Sequence, residues 1–116
     1  PYIIQRLREA LILNRDALWV LRTYDSPETL FYCDPPYLPE TRVSANVYGA
    51  EMTHEQHEEL LAALRGVKGK VLLSGYNSEL YDAALSDWRR RIIDMPNHAA
   101  GGKSKRRVQE VIWSNF

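Results

Sequence analysis

Cysteine is nearly absent from this chain of 116 residues: Cys33 stands alone, so no internal disulfide and no thiolate metal cluster can form. A single thiol fits a reducing compartment, and the cytoplasm is the expected location. No apolar run approaches the roughly 20 residues of a membrane-spanning helix, and no secretory leader pattern opens the chain. Glycine is scarce as well, with six in all and none in the first thirty residues. Net charge is zero, so global electrostatics neither demand nor forbid a nucleic-acid partner. What remains is ordinary for a globular domain, with 45% hydrophobic and 26% charged residues, which excludes wholesale disorder. A chain of this length buries about two-thirds of its unfolded surface, enough for one modest core.

The charges that cancel overall are separated along the chain. From Asp25 to Glu59 there are eight acids and one base, Arg42, a net of −7. From Asp87 to Arg107 there are seven bases and two acids, a net of +5. A basic cluster of that size can hold phosphates, and it can equally be a solvated turn.

Apolar periodicity lays out the elements. Ile4, Leu7, Leu11, Leu18 and Leu21 recur at helical spacing, which predicts one amphipathic helix over Tyr2–Arg22. Asp25-Ser26-Pro27 breaks it, because Pro27 biases its predecessor away from helical dihedrals. Thr29–Cys33 reads as a buried strand that stops at Asp34-Pro35-Pro36. The segment from Leu38 to Met52 has no apolar period and reads as a long loop. Thr53 and Gln56 match a capping box for a helix ending near Gly66, with His57, Leu60, Leu61 and Leu64 on its inner stripe. Lys70–Ser74 reads as a second strand, Gly75 as a turn, and Glu79 to about Leu85 as a further helix. Strands over Arg91–Met95 and Val108–Ser114 follow, with no helix between them, and are expected to be antiparallel neighbours. Alternation of strand and helix predicts an α/β layer.

The sharpest local pattern is Asp34-Pro35-Pro36-Tyr37 at the C-terminal end of a strand, where open α/β sheets place their ligands. Two consecutive prolines fix the backbone and remove two N–H donors. Carbonyl and carboxylate acceptors then stand beside a flat aromatic ring. That combination suits a planar ligand bearing an amino group; a plain strand-ending turn is the bland reading. His54 and His57 are three residues apart, not the four of a helical zinc-protease motif, so His57 is expected to pack under its helix. Lys68-Gly69-Lys70 is too short to cradle phosphates, and Cys33 is expected to act as a small hydrophobe.

Here the sequence resembles the Dam-like class of N-6 adenine-specific DNA methyltransferases, above all its phage and prophage branch. The class signature stands as Asp34-Pro35-Pro36-Tyr37, entered by Leu30-Phe31-Tyr32-Cys33 and followed by Glu40-Thr41-Arg42. The helix start Thr53-His54-Glu55-Gln56-His57 resembles it too, as do Val71-Leu72-Leu73-Ser74-Gly75-Tyr76, Leu80-Tyr81, Trp88-Arg89 and the final Glu110-Val111-Ile112-Trp113-Ser114-Asn115. The likeness covers about residues 22–116. It implies adenine N-6 methyl transfer to DNA from S-adenosylmethionine, with Asp34, Pro35 and Tyr37 catalytic. It also implies a base taken out of the stack, held against Tyr37, with Asp34 and the Pro35 carbonyl accepting its two amino hydrogens. Pro36, Arg42, Tyr48, Lys103, Lys105, Arg106 and Arg107 are the expected substrate contacts. No metal is implied.

One part of the class pattern is missing. The Phe-x-Gly-x-Gly type of motif that holds the methionine part of the cofactor, normally well upstream, has no match here. The expectation is therefore the C-terminal half of a Rossmann-like S-adenosylmethionine-dependent methyltransferase: one partial domain over 1–116, with an N-terminal helix in 1–24 and the motif-bearing α/β region in 25–116. Cofactor-binding residues are not identified, and the chain alone is expected to be weakly active or inactive. DNA is the expected partner, together with a second copy of the chain, a missing N-terminal half or a partner subunit. A noncatalytic remnant that binds nucleic acid or another protein is the alternative. The setting implied is a bacterial or phage methylation system of the restriction–modification kind, whose target sequence the chain does not reveal.

Overall fold

The computed structural model of the chain describes residues 1–38, 51–96 and 107–116. Arg42, Tyr48, Lys103, Lys105 and Arg106 lie outside the described residues, as does the side chain of Arg107.

Among the described residues, four helices and four strands follow one another as α1 (Tyr2–Arg8), α2 (Ala17–Tyr24), β1 (Leu30–Cys33), α3 (His54–Gly66), β2 (Lys70–Tyr76), α4 (Glu79–Ala84), β3 (Arg89–Pro96) and β4 (Arg107–Ser114). The strands form one open sheet in the order β1-β2-β4-β3. Strand β1 runs parallel to β2, as a helical connection through α3 requires. Strand β4 is antiparallel to both β2 and β3, so the expected antiparallel pairing of the last two strands holds.

Register divides the sheet into two faces. Phe31 and Cys33, Val71, Leu73 and Gly75, and Val111 and Trp113 share one face. That face carries the core, joined by Leu21 of α2, by Leu60, Leu61 and Leu64 of α3, and by Tyr81 of α4. Val71, Leu73, Val111 and Trp113 are fully buried there. Truncating a buried aromatic such as Trp113 to alanine costs about 3–5 kcal/mol in comparable cores. The opposite face presents Leu30, Tyr32, Leu72, Ser74, Tyr76, Glu110 and Ile112.

Local chemistry explains the helix ends. The Thr53 hydroxyl accepts from the Gln56 amide at 3.1 Å, and the Gln56 side chain accepts from the Thr53 amide at 2.8 Å, completing the expected capping box. Such a cap stabilises a helix by roughly 1 kcal/mol. Ser78 caps α4 by accepting from the Tyr81 amide at 3.2 Å.

The N-terminal region departs from expectation. The single helix over Tyr2–Arg22 is two short ones, because the Asp16 carboxylate accepts from the Leu18 and Trp19 amides and starts a new helix. Helix α1 buries none of its residues, and Ile4, Leu7 and Leu11 are more than half exposed. Half of the apolar stripe thus meets no core, while Leu18 and Leu21 do. The strand read as buried is so on one face only: Leu30 and Tyr32 are exposed, and Phe31 and Cys33 are half-buried. It is an edge strand whose Leu30–Tyr32 side faces away from α2, α3 and α4.

Gly75 does not turn the chain; it lies inside β2, one residue before its end. A Cβ there would meet Cζ3 of Trp113 at 3.3 Å, so the bare backbone makes room for the largest core side chain. Gly69 has a stricter reason. Its missing Cβ would lie 2.7 Å from the Thr29 carbonyl oxygen and 3.0 Å from that of Ser26. That close approach is fixed from both sides. The Asp25 carboxylate accepts from the Lys68 and Gly69 amides at 2.8 and 2.9 Å, and Asn115 bonds the Val71 amide and the Gly69 carbonyl. Lys68-Gly69-Lys70 is therefore the link from α3 into β2, as expected.

Candidate active site

Strand β1 delivers Asp34 to the C-terminal end of the parallel pair, and the two prolines turn the chain there. The Asp34 side chain is exposed, yet it is oriented: Ser74 Oγ donates to Asp34 Oδ1 at 2.8 Å. Ser74 itself is buried, on the neighbouring strand, and also lies 3.4 Å from the Cys33 carbonyl oxygen. No described residue donates to the second carboxylate oxygen of Asp34. The carboxylate is thus fixed in direction with an acceptor still facing solvent.

Tyr37 folds back over the Tyr76–Glu110 end of the sheet. Its hydroxyl donates to Glu110 Oε1 at 2.7 Å. Its ring stacks on Tyr76, with centroids 4.0 Å apart and planes 29° from parallel. Tyr76 and Glu110 are direct cross-strand partners of β2 and β4, so a regular antiparallel ladder sets the spacing of both contacts. Burial pushes the Tyr37 phenol well above the usual tyrosine range, and the neighbouring Glu110 carboxylate pushes it further. Tyr37 stays a neutral donor at any physiological pH. Leu38, the next residue, is buried in the core and anchors the end of the turn.

A cavity of about 510 Å³ opens beside the same turn, on the core face of the β1 edge. Phe31, Cys33, Asp34 and Pro35 form one wall, Asp16 and Leu18 of the α2 start another, and Met52, Gln56 and Leu60 the third. Burial raises the Cys33 thiol above its ordinary value, so Cys33 presents a neutral S–H to this space and behaves as the small hydrophobe expected.

The structure brings together Asp34, Pro35, Pro36 and Tyr37 of the expected site. It adds Ser74, Tyr76 and Glu110, to which no role had been given. The signal for Ser74 is a hydroxyl inside an otherwise apolar strand run; for Glu110 it is an acid opening the apolar end of β4. Neither says which group it touches. The two histidines do not converge. His57 is fully buried with Nδ1 2.7 Å from the Tyr81 hydroxyl, whereas His54 is exposed, 3.7 Å from Glu58. The basic residues of the Arg89–Arg91 run are partly engaged: Arg90 bonds Asp82 at 3.0 Å and Asn77 at 2.7 Å.

Among known families, the model of the D12 class N6 adenine-specific DNA methyltransferases matches the chain over residues 2–97. No curated protein matches the chain. The family match spans both N-terminal helices, the Asp34–Tyr37 turn and β3, which is most of the chain. With a family model matched over most of its length, the chain belongs to the D12 class of N6 adenine-specific DNA methyltransferases.

Proposed function

We propose that the chain is the adenine-binding half of a DNA adenine N-6 methyltransferase, with the target base held at Asp34-Pro35-Pro36-Tyr37. The observation that carries this reading is the Asp34 carboxylate, aimed by Ser74 and left with an open acceptor at the strand end. The sheet, with a parallel pair followed by an antiparallel pair, suits the C-terminal half of a Rossmann-like methyltransferase fold.

An adenine amino nitrogen is a poor nucleophile, because its lone pair is delocalised into the ring. Asp34 and the Pro35 carbonyl accept its two hydrogens and favour a pyramidal nitrogen with a localised pair. The same acceptors stabilise positive charge as it develops on that nitrogen, which lowers the barrier selectively. Tyr37 replaces part of the stacking lost when the base leaves the duplex, worth roughly 1–3 kcal/mol per base–aromatic contact. Pro36 holds the turn between them. Arg42, Tyr48, Lys103, Lys105, Arg106 and Arg107 are proposed as DNA contacts, the basic ones to phosphates.

S-adenosylmethionine supplies an electrophilic methyl group when bound. The 510 Å³ cavity fits part of it: apolar walls from Phe31 and Leu60 suit a purine, and Asp16 and Asp34 suit a positively charged sulfonium. Among the described residues no glycine lines that cavity, and the sequence has no match to the class's Phe-x-Gly-x-Gly type of motif for the methionine end. The chain alone is therefore proposed to be incomplete, and to gain its partner surface from another polypeptide or a second copy.

The test is a methylation assay with the chain completed by a cofactor-binding half. Asp34→Ala should lower kcat by about 100-fold or more with little change in DNA affinity, the scale of losing one aimed polar contact in a transition state. An unchanged rate at saturating DNA would remove Asp34 from the reaction.

A further inference from the structure

We infer that Glu110 is a positioning residue: its carboxylate, by accepting from the Tyr37 hydroxyl, holds the Tyr37 ring against Tyr76 so that the two tyrosines form one fixed aromatic wall beside Asp34. The inference rests on the reading of Tyr37 as the ring that receives the base.

Three observations carry it. First, the Tyr37–Glu110 bond is short, at 2.7 Å, and charge-assisted, a kind roughly twice as strong as a neutral one. It closes 73 residues of sequence, so it is a tertiary tether and not a local turn contact. Second, the acceptor cannot drift. Glu110 sits in the middle strand of three, paired with Tyr76 on one side and Ile93 on the other. Third, Tyr76 supplies a flat backing, its ring stacked on that of Tyr37 with centroids 4.0 Å apart and planes 29° from parallel. A ring tethered at its hydroxyl and backed on one face loses little freedom when a second ring stacks on it. That pre-organisation is where affinity is gained, since ordering a mobile side chain costs about 0.5–1.5 kcal/mol at binding. A bare Asp-Pro-Pro-Tyr turn without the tether would have to order Tyr37 each time.

Glu110 acts through Tyr37, whose hydroxyl it holds. A glutamine at 110 keeps an oxygen able to accept from the phenol, whereas an alanine does not. The two variants therefore separate positioning from simple presence of a polar group.

The experiment uses the 116-residue chain and a single-stranded oligodeoxynucleotide carrying 2-aminopurine, whose fluorescence responds to stacking. Glu110→Ala should weaken binding of the probe by about 2- to 10-fold, the equivalent of one net hydrogen bond, and reduce the quenching of the bound base. Glu110→Gln should restore binding to within about twofold of the wild type. The second readout needs no ligand. Tyrosine absorbance is followed against pH in the wild type, in Glu110→Ala and in Tyr37→Phe as the assignment control. Tyr37 should stay protonated beyond about pH 11 in the wild type, where ordinary tyrosines have ionised, and should ionise earlier in Glu110→Ala. Equal probe binding and quenching in Glu110→Ala, or an unshifted Tyr37 ionisation, overturns the positioning role while leaving the motif reading intact. If Tyr37→Ala binds the probe as well as the wild type, the motif reading itself falls, and this inference with it.

Discussion

Ser74 on β2 donates its hydroxyl hydrogen to the Asp34 carboxylate on the neighbouring strand, at 2.8 Å. The contact orients the carboxylate while no described residue donates to its second oxygen, as the proposed acceptor role of Asp34 needs. In the completed enzyme, Ser74→Ala should lower kcat by about 5- to 10-fold, since it releases the orientation of Asp34 but keeps its charge; one net hydrogen bond corresponds to roughly 1 kcal/mol. KM for DNA should change less than kcat. Steady-state kinetics on Ser74→Ala beside Asp34→Ala check this, and equal losses in the two would mean that Ser74 does more than orient.

Tyr81 ties α4 to α3 beneath the sheet. It is 4% exposed, its hydroxyl lies 2.7 Å from His57 Nδ1, and its ring leans on Trp113 at 5.3 Å. Tyr81→Phe should cost about 1–3 kcal/mol at pH 7, because a buried imidazole nitrogen loses its partner. The phenol also makes stability pH-dependent. Burial raises the folded ionisation above the unfolded value of about 10, so the contribution is complete below pH 10 and is lost as pH rises toward the folded value. The alkaline limb should fall by up to about 1.4 kcal/mol per pH unit for each such tyrosine, Tyr37 being the other. Urea unfolding at pH 7 and about pH 11 should show Tyr81→Phe less stable at the first and less pH-sensitive between them.

Gly69 lies where the backbones entering β1 and β2 approach closely. Gly69→Ala places a methyl 2.7 Å from one backbone carbonyl and 3.0 Å from another, and neither is a flexible side chain that can swing away. The cost should be about 1–3 kcal/mol, in the range of an overpacked core. Gly66→Ala is the control, since nothing lies within 4 Å of its missing Cβ. Equal midpoints of urea unfolding for the two variants would contradict the close approach.

Local signals were legible in the chain, and distant ones were not. Helix α3 could be read because Thr53 and Gln56, which cap it, are three residues apart. The strands could be read as apolar runs, and their endings at Asp34-Pro35-Pro36 from proline chemistry. Periodicity failed over Tyr2–Arg22 because a local cap at Asp16 outweighs a stripe that finds no core to bury its first half. Gly75 was misread as a turn because its reason is Trp113, 38 residues later, whose ring needs the space. The same limit applies to the site. Asp34 and Tyr37 stand in one motif, while Ser74 and Glu110 reach them across 40 and 73 residues.

The cavity proposed for the cofactor has apolar walls from Phe31 and Leu60, and no glycine is among its described lining residues. Calorimetry on the chain alone should therefore show S-adenosylmethionine binding weaker than micromolar, or none. Micromolar affinity would mean that the walls around Asp16, Phe31 and Met52 suffice.

The sheet's first strand raises the question of assembly. Among the described residues, strand β1 pairs with β2 on one side only, so its other edge has no described strand to pair its backbone donors and acceptors. Edges of this kind are usually short, charged or covered, because they template pairing with another chain. This one is short, but its outward residues are Leu30 and Tyr32, 56% and 66% exposed, with no charge among its four residues. Helix α1 and the segment after it add Ile3, Leu7, Leu11 and Ile12, each more than 60% exposed. Scattered apolar residues are normal on a surface, but such a concentration on one strand and one helix makes an association site the expected outcome. A symmetric pair of chains is the simplest way to cover it, with β1 or α1 at the interface. Sedimentation at micromolar concentration should give twice the 13.4-kDa chain mass. Leu30→Lys with Tyr32→Lys should shift it toward monomer if β1 is the interface, and Leu7→Lys with Leu11→Lys if α1 is. A wild-type chain that sediments as a clean monomer would overturn the dimer and leave the apolar surface to a different polypeptide.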